Sequence, residues 1–192
     1  MIKITLATSN PHKLKEINEI NKGRNIVFEL IKGEFAPVEN GVSFEENAAI
    51  KAIAGAKISK SYCLADDSGL CADALGGRPG IYSSRYAETP EKRIEKLLSE
   101  MKGVPFCKRG AHFTCAMALA APDGGIIHTE TGRVFGFIDE TPKGARGFGY
   151  DPVFYIEECG KTMAELKEQE KNKISHRAAA LFNMLKWIEK NL

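Results

Sequence analysis

The sequence has no cysteine pair at C-x-x-C spacing, no apolar run of membrane-spanning length and almost no net charge. Each absence removes a class of protein. The five cysteines, Cys63, Cys71, Cys107, Cys115 and Cys159, are odd in number and lack zinc-ligand spacing. That argues against a disulfide framework and against a structural zinc site. Several of them sit in apolar, strand-like runs, where a free thiol behaves as a small hydrophobe. The segment after Met1 lacks the basic-then-apolar layout of a signal peptide. A reducing, cytoplasmic setting without a membrane partner is therefore the expectation. The 27 basic and 25 acidic residues leave a net charge of +2, which is no electrostatic footprint for DNA or RNA. Two familiar phosphate-binding loops are missing as well. There is no G-x-x-x-x-G-K-[ST], and no G-x-G-x-x-G opening a helix.

What is present reads as one compact unit. The length of 192 residues suggests a single domain over 1–192, or two intimately packed lobes. A chain of this size buries roughly 70% of the surface its unfolded form exposes, so a sizeable core needs no staples. Residues 2–8 read as a strand. Residues 12–22 read as a helix, with Leu14, Ile17 and Ile20 near one face. A second strand follows at 26–31. Ser43-Phe44-Glu45-Glu46 is a capping box that opens a long alanine-rich helix over 44–59. Residues 62–66 read as a short buried strand running into a loop at 67–87. Thr89-Pro90 starts another helix, the hydroxyl as N-cap and proline at the first helical position.

The period then changes. Ala111, Phe113, Cys115, Met117, Leu119 and Ala121 alternate, which predicts a long strand buried on one face only. Residues 122–125, Pro-Asp-Gly-Gly, are a hairpin turn signal, with the partner strand over 126–135. A glycine-rich loop at 144–150 leads to a strand at 153–156. Residues 162–168 and 175–190 read as helices. Helices alternating with strands early, and a meander in the middle, give an α/β class with a mixed sheet.

Six short stretches could carry chemistry. The first is the turn between the opening strand and helix, Thr8-Ser9-Asn10-Pro11. It leaves backbone N–H groups at a helix N-terminus, which favour an anion, with Lys13 one turn further on. Simple N-capping explains the same residues equally well. The second is Asp66-Asp67 at a strand end, which suits a hard cation or a general base for water. If strand geometry persists, the two carboxylates point to opposite sides. An Asp-Ser-Gly turn is the plainer reading. Upstream, Glu39 lies in a loop, Glu46 caps its own helix, and Lys51 either enters a cleft or is solvated. The fourth stretch is the glycine-crowded loop at 74–86, which is either functional or a long connection. The fifth is Gly147-Phe148-Gly149-Tyr150-Asp151, where an aromatic between glycines can stack on a flat ligand, or serve as a core aromatic in a turn. The sixth is Ser175-His176-Arg177. It puts basic residues in a first helical turn, against the helix dipole. An arginine there could pair with the N7 and O6 edge of a purine. The charged run at 165–173 reads as a solvated helix face.

Taken in order, residues 8–13, 43–52, 65–70, 75–86, 147–154 and 174–181 resemble the Ham1-like, or inosine triphosphate pyrophosphatase, family over essentially the whole chain. The resemblance implies an elongated α/β fold with a mixed sheet flanked by helices, two lobes and a substrate cleft, assembled as a homodimer. It implies Mg²⁺-dependent hydrolysis of inosine, deoxyinosine and xanthosine triphosphates to the monophosphate and pyrophosphate. By match, Thr8, Ser9, Asn10 and Lys13 would hold the triphosphate. Asp67 would be the catalytic carboxylate and a metal ligand, with Glu39 as the second ligand. Ser68 would contact substrate. Phe148 would stack on the base, and Gly149, Tyr150 and Asp151 would complete that pocket. Lys171, His176 and Arg177 would also contact substrate, the last two near the base edge.

Two rivals stand beside this reading. The first is a Maf-like nucleotide pyrophosphatase, against which the His176-Arg177 pair and the 147–152 loop argue. An RNA-binding module is disfavoured by the balanced charge and by the aspartate pair, since acidic residues repel a phosphate backbone.

Overall fold

The computed structural model describes residues 1–8 and 10–192. Its strands are β1 (Ile2–Leu6), β2 (Ile26–Leu30), β3 (Cys63–Ala72), β4 (Gly110–Ala120), β5 (Ile126–Ile138), β6 (Phe154–Ile156) and β7 (Lys161–Thr162). Its helices are α1 (Pro11–Ile20), α2 (Phe44–Ser59), α3 (Pro90–Glu100), α4 (Glu168–Ile174) and α5 (His176–Asn191). The strands form one mixed sheet in the order β2-β1-β3-β4-β5-β6-β7. β1 runs parallel to both β2 and β3, whereas β6 is antiparallel to β5 and β7. The α/β class with a mixed, helix-flanked sheet is thus observed.

The chain divides into two compact units. One comprises Met1–Asp67, Cys115–Gly132 and His176–Leu192; the other comprises Ser68–Thr114 and Arg133–Ser175. The division cuts β3 after Asp67, β4 after Thr114 and β5 after Gly132.

In the first unit, strand alternation assigns side chains to two helix layers. Ile4 and Leu6 of β1, Leu64 of β3 and Cys115, Met117 and Leu119 of β4 join a core with Ile17 of α1 and Leu181, Met184, Leu185 and Ile188 of α5. The opposite face of the sheet receives α2. There the helix comes close enough at Gly55 that an added Cβ would collide with Cys63 Sγ and lie 3.0 Å from Ala7 Cβ. Helices on both faces bury both sides of the strands. β4 is accordingly buried at every position from Phe113 to Ala120, where the sequence pattern suggests one buried face. Alternation in residue size, not polarity, is what the pattern recorded.

The helix starts follow their local chemistry. Asn10 caps α1 by accepting from the His12 N–H at 2.9 Å. Ser43 caps α2 by accepting from Glu46 N–H at 3.1 Å, and Glu46 Oε2 reaches back to Val42 N–H at 2.8 Å. Thr89 caps α3, with Pro90 at its first position.

The second unit has its own core. Leu70 and Ala72 of β3, Ile94 and Leu97 of α3, Phe113 of β4, Ile138 of β5 and Phe154 of β6 pack with Tyr150 and Met163. Arg109, buried at 3% exposure, donates to the carbonyls of Ile138 (2.6 Å), Met101 (3.0 Å) and Asp139 (3.1 Å). It thereby ties the C-cap of α3 to the end of β5.

Several boundaries differ from the sequence expectation; β1 stops at Leu6 and α1 at Ile20, each two residues short of it. β3 continues to Ala72 rather than ending in a loop at Asp67, because Ser68–Ala72 still has a core to pack on. β5 runs to Ile138, three residues past the expected end. Residues 162–168 are not a helix: Thr162 ends β7, and α4 begins only at Glu168. Thr162 is fully buried, and its hydroxyl donates to the Lys143 carbonyl at 2.8 Å. That tertiary bond overrides the helix propensity of the following residues. The strand expected at 153–156 begins at Phe154, after a 3-10 turn over Asp151–Val153.

Two outcomes are expected. Gly55→Ala should lower the unfolding free energy by about 1–3 kcal/mol in urea denaturation, since overpacking against Cys63 outweighs alanine's better helix propensity. Native-state thiol titration should modify the exposed Cys107 and Cys159 quickly. Cys63 and Cys115 should react only after unfolding, because burial pushes the Cys63 thiol up to about 12 and raises that of Cys115 as well.

Candidate active site

The first unit gathers five charged side chains around two consecutive residues of β3, Asp66 and Asp67. Asp66 shares the strand face of Leu64 and so meets α1 and α5. Asp67 shares the face of Cys63 and so meets α2. The expectation that the two carboxylates diverge is met, because the strand runs through both of them.

On the Asp66 face, the Lys13 ammonium lies 2.9 Å from Asp66 Oδ2. The Arg177 guanidinium donates to the same oxygen from Nε and Nη2, each at 3.4 Å, and also to Glu16 Oε2. Arg177 is 1% exposed and Asp66 2%. Ionised groups survive such burial only when paired and hydrogen-bonded. Burial alone would raise the Asp66 carboxyl. The cations Lys13, Arg177 and Lys51 outweigh it and hold the group far below the usual carboxylate range. Burial likewise works against the Arg177 cation, and Asp66 and Glu16 more than offset it.

On the Asp67 face, the Lys51 ammonium sits 2.9 Å from Asp67 Oδ1 and 3.1 Å from Glu39 Oε1. The Asn47 amide donates to Asp67 Oδ2 at 3.3 Å. Asn47 and Lys51 stand four residues apart on α2, hence on one helix face. Lys51 is therefore a buried site residue, not a solvated one. Burial raises the Asp67 carboxyl against the pull of Lys51. Burial opposes the Lys51 charge, but Asp67, Asp66 and Glu39 together keep its pKa above that of an ordinary lysine.

Two carboxylates converging on one cation are a donor set that fits Mg²⁺. That ion is usually held by one or two carboxylates, with waters and substrate phosphates filling its octahedron. Among the described residues, no group of three or more His, Cys, Asp or Glu side chains forms a dedicated metal cage.

The turn before α1 shows the capping that was one of the two readings of its sequence. Thr8 Oγ1 accepts from Asn10 N–H at 3.1 Å, and Asn10 caps the helix. Lys13 projects from the first turn to Asp66. Ser9 lies outside the described residues. His176 opens α5 and is buried. Gly132 of β5 lies against its backbone, since a Cβ there would overlap the His176 carbonyl oxygen.

The second unit holds a separate constellation. Residues 147–151 wrap the Asp151 carboxylate, which accepts from Phe148 N–H at 2.8 Å and from the Lys171 ammonium of α4 at 2.7 Å. Gly147, at φ 75°, has no room for a side chain, because a Cβ would fall on Asp151 Oδ2. The Lys171 ammonium also stands 4.7 Å from the centre of the Phe148 ring. Tyr150 is buried and donates its hydroxyl to the Ser83 carbonyl at 2.9 Å. Gly149 and Ser68 are half-buried.

Glu16, Asn47 and Cys115 were not singled out from the sequence. Glu16 stands three residues after Lys13 on α1, and Asn47 stands four before Lys51 on α2, so helical spacing from each lysine carried the signal. Cys115, whose thiol lies 3.8 Å from Asp66 Oδ2, gave none. Arg177→Met should leave Asp66 and Glu16 buried with one fewer cation. It should cost about 3–5 kcal/mol of unfolding free energy in chemical denaturation.

Residues 4–187 match the Ham1 family. The dITP/XTP pyrophosphatase of Bacillus subtilis (strain 168) is 48% identical over 195 residues, covering 98% of each chain. A solved HAM1 protein from Coxiella burnetii superposes with a TM-score of 0.88 at 38% identity, covering 99% of this chain and 100% of that one. The Ham1 protein of Staphylococcus aureus gives the same TM-score at 37% identity and the same coverage. With its two aspartates dividing one strand between two helix layers, and with full-length likeness to these proteins, the chain belongs to the Ham1 family.

Proposed function

We propose that this protein hydrolyses non-standard purine nucleoside triphosphates, those of inosine, deoxyinosine and xanthosine, to the monophosphate and pyrophosphate. The relative from Bacillus subtilis is named a dITP/XTP pyrophosphatase. The observation that carries the reading is the Asp67–Lys51–Glu39 group, placed one residue from the Asp66–Lys13 pair. It supplies paired carboxylates and two lysines, as a polyphosphate with its counter-cation requires.

In this reading, Asp67 and Glu39 hold Mg²⁺, which polarises the α-phosphate when bound. Asp67 orients the attacking water and takes its proton. A carboxyl raised by burial is the better base near neutral pH. Lys13 and the N–H groups at the start of α1, with Thr8, Ser9 and Asn10, take the charge that builds on the leaving pyrophosphate. Ser68 and Lys171 contact substrate. Phe148 stacks on the base beside Gly149, Tyr150 and Asp151.

His176 and Arg177 are assigned to the base edge by the family resemblance, and Arg177 would reach it while anchored by Asp66 and Glu16. Inosine and xanthosine present an O6 acceptor there, whereas adenosine presents a donor and leaves a buried polar group unmatched. The protein works as a homodimer in the cytoplasm, which is supported by the resemblance to its family. No helix among the described residues is long and apolar enough to cross a membrane.

The test is pyrophosphate release from inosine, xanthosine, adenosine and guanosine triphosphates, with Mg²⁺ and with chelator, in ¹⁸O-labelled water. Fast release from the first two, lost on chelation, with the label in the monophosphate, is the expected result. Orthophosphate as the product, equal turnover of all four, or label in the pyrophosphate would overturn the reading.

A further inference from the structure

We propose that Lys51 is the resident counter-cation of the metal site, so that the divalent cation enters together with the nucleotide and not ahead of it. The inference rests on the assignment of Asp67 and Glu39 as metal ligands made above.

One ammonium already bridges these two carboxylates, at 2.9 and 3.1 Å. Its side chain is only 10% exposed, so the charge has no easy route into bulk water. The adjacent Asp66 offers it no alternative partner on this face, because its carboxylate is engaged with Lys13 and Arg177 on the other side of the strand. With Lys51 in place, the three groups carry a single net negative charge. A divalent cation arriving alone would gain two carboxylates but would meet a fixed ammonium at contact distance, and like charges so close in a partly dry site repel strongly.

A triphosphate removes that obstacle. It brings several negative charges, so Lys51 can leave the carboxylates for a phosphate oxygen without losing its pairing. Lys51 would then count as a positioning residue before binding and as a substrate contact afterwards. Before the exchange, the ammonium keeps the two carboxylates paired. Without Lys51, two carboxylates would face each other with nothing between them.

The test is Mn²⁺ binding to the full-length protein without nucleotide, read from the free-ion paramagnetic resonance signal. Lys51→Met should bind Mn²⁺ about tenfold or more tightly than wild type, whereas Lys51→Arg, which keeps the charge, should bind as weakly as wild type. Lys51→Gln serves the same purpose if the methionine variant does not fold. Equal affinity in wild type and in the neutral variants would overturn the inference. Asp67→Asn and Glu39→Gln report separately on the ligand assignment. They should weaken Mn²⁺ binding in the presence of an inosine triphosphate analogue carrying a methylene between the α and β phosphorus atoms. Failure of that arm overturns the metal reading itself, whatever Lys51 does.

Discussion

Asp66 and Asp67 are neighbours on a strand that stays extended through both, and much of the first unit follows from that geometry. Alternation sends one carboxylate toward α1 and α5, the other toward α2. Had the strand ended at Asp66, as the sequence suggests, the pair could have turned the same way and repelled. Instead each aspartate meets its own lysine, Lys13 at 2.9 Å and Lys51 at 2.9 Å. The strand continues because Leu70 and Ala72 are drawn into the second unit's core.

The two faces differ in how completely their charges are closed. Around Asp66, two cations meet two carboxylates, and Arg177 has almost no exposure. Such a cluster is held by its own pairing and costs a great deal to break. Around Asp67, one cation serves two carboxylates, Glu39 is 30% exposed, and burial raises the Asp67 carboxyl instead of lowering it. That face keeps one negative charge beyond its single ammonium. The same sheet therefore carries a closed charge cluster and a more open one back to back, with a single peptide bond between their central residues. The second unit shows the closed kind again, where Asp151 ties the 147–151 loop to Lys171 of α4.

Much of this was legible in the sequence wherever local chemistry decides. The caps of α1, α2 and α3 follow from Asn10, Ser43 and Thr89 with prolines or a glutamate at fixed offsets. The divergence of the two aspartates follows from a period of two. The extent of β3 and β5, and the absence of a helix at 162–168, did not follow, because distant partners set them. Thr162 is held by Lys143, nineteen residues away, and only the folded chain reveals that bond. The full burial of β4 was hidden for a related reason, since small residues on a second covered face look like an alternation. Glu16 and Asn47 could have been found by asking what lies one helical turn from each lysine. Cys115 could not, because nothing in a sequence tells which strand lies beside Asp66.

The central claim is that the consecutive aspartates do opposite work, Asp66 holding structure and Asp67 chemistry. The most direct measurement compares Asp66→Asn with Asp67→Asn for unfolding free energy and for turnover of inosine triphosphate. Asp66→Asn should lose about 3–5 kcal/mol of stability, as expected when a buried ion cluster loses one partner. Asp67→Asn should keep a wild-type unfolding midpoint and lose about 10²-fold or more in turnover, the range of a missing general base. An Asp67→Asn protein that turns over at the wild-type rate, or an Asp66→Asn protein as stable as wild type, would contradict the account.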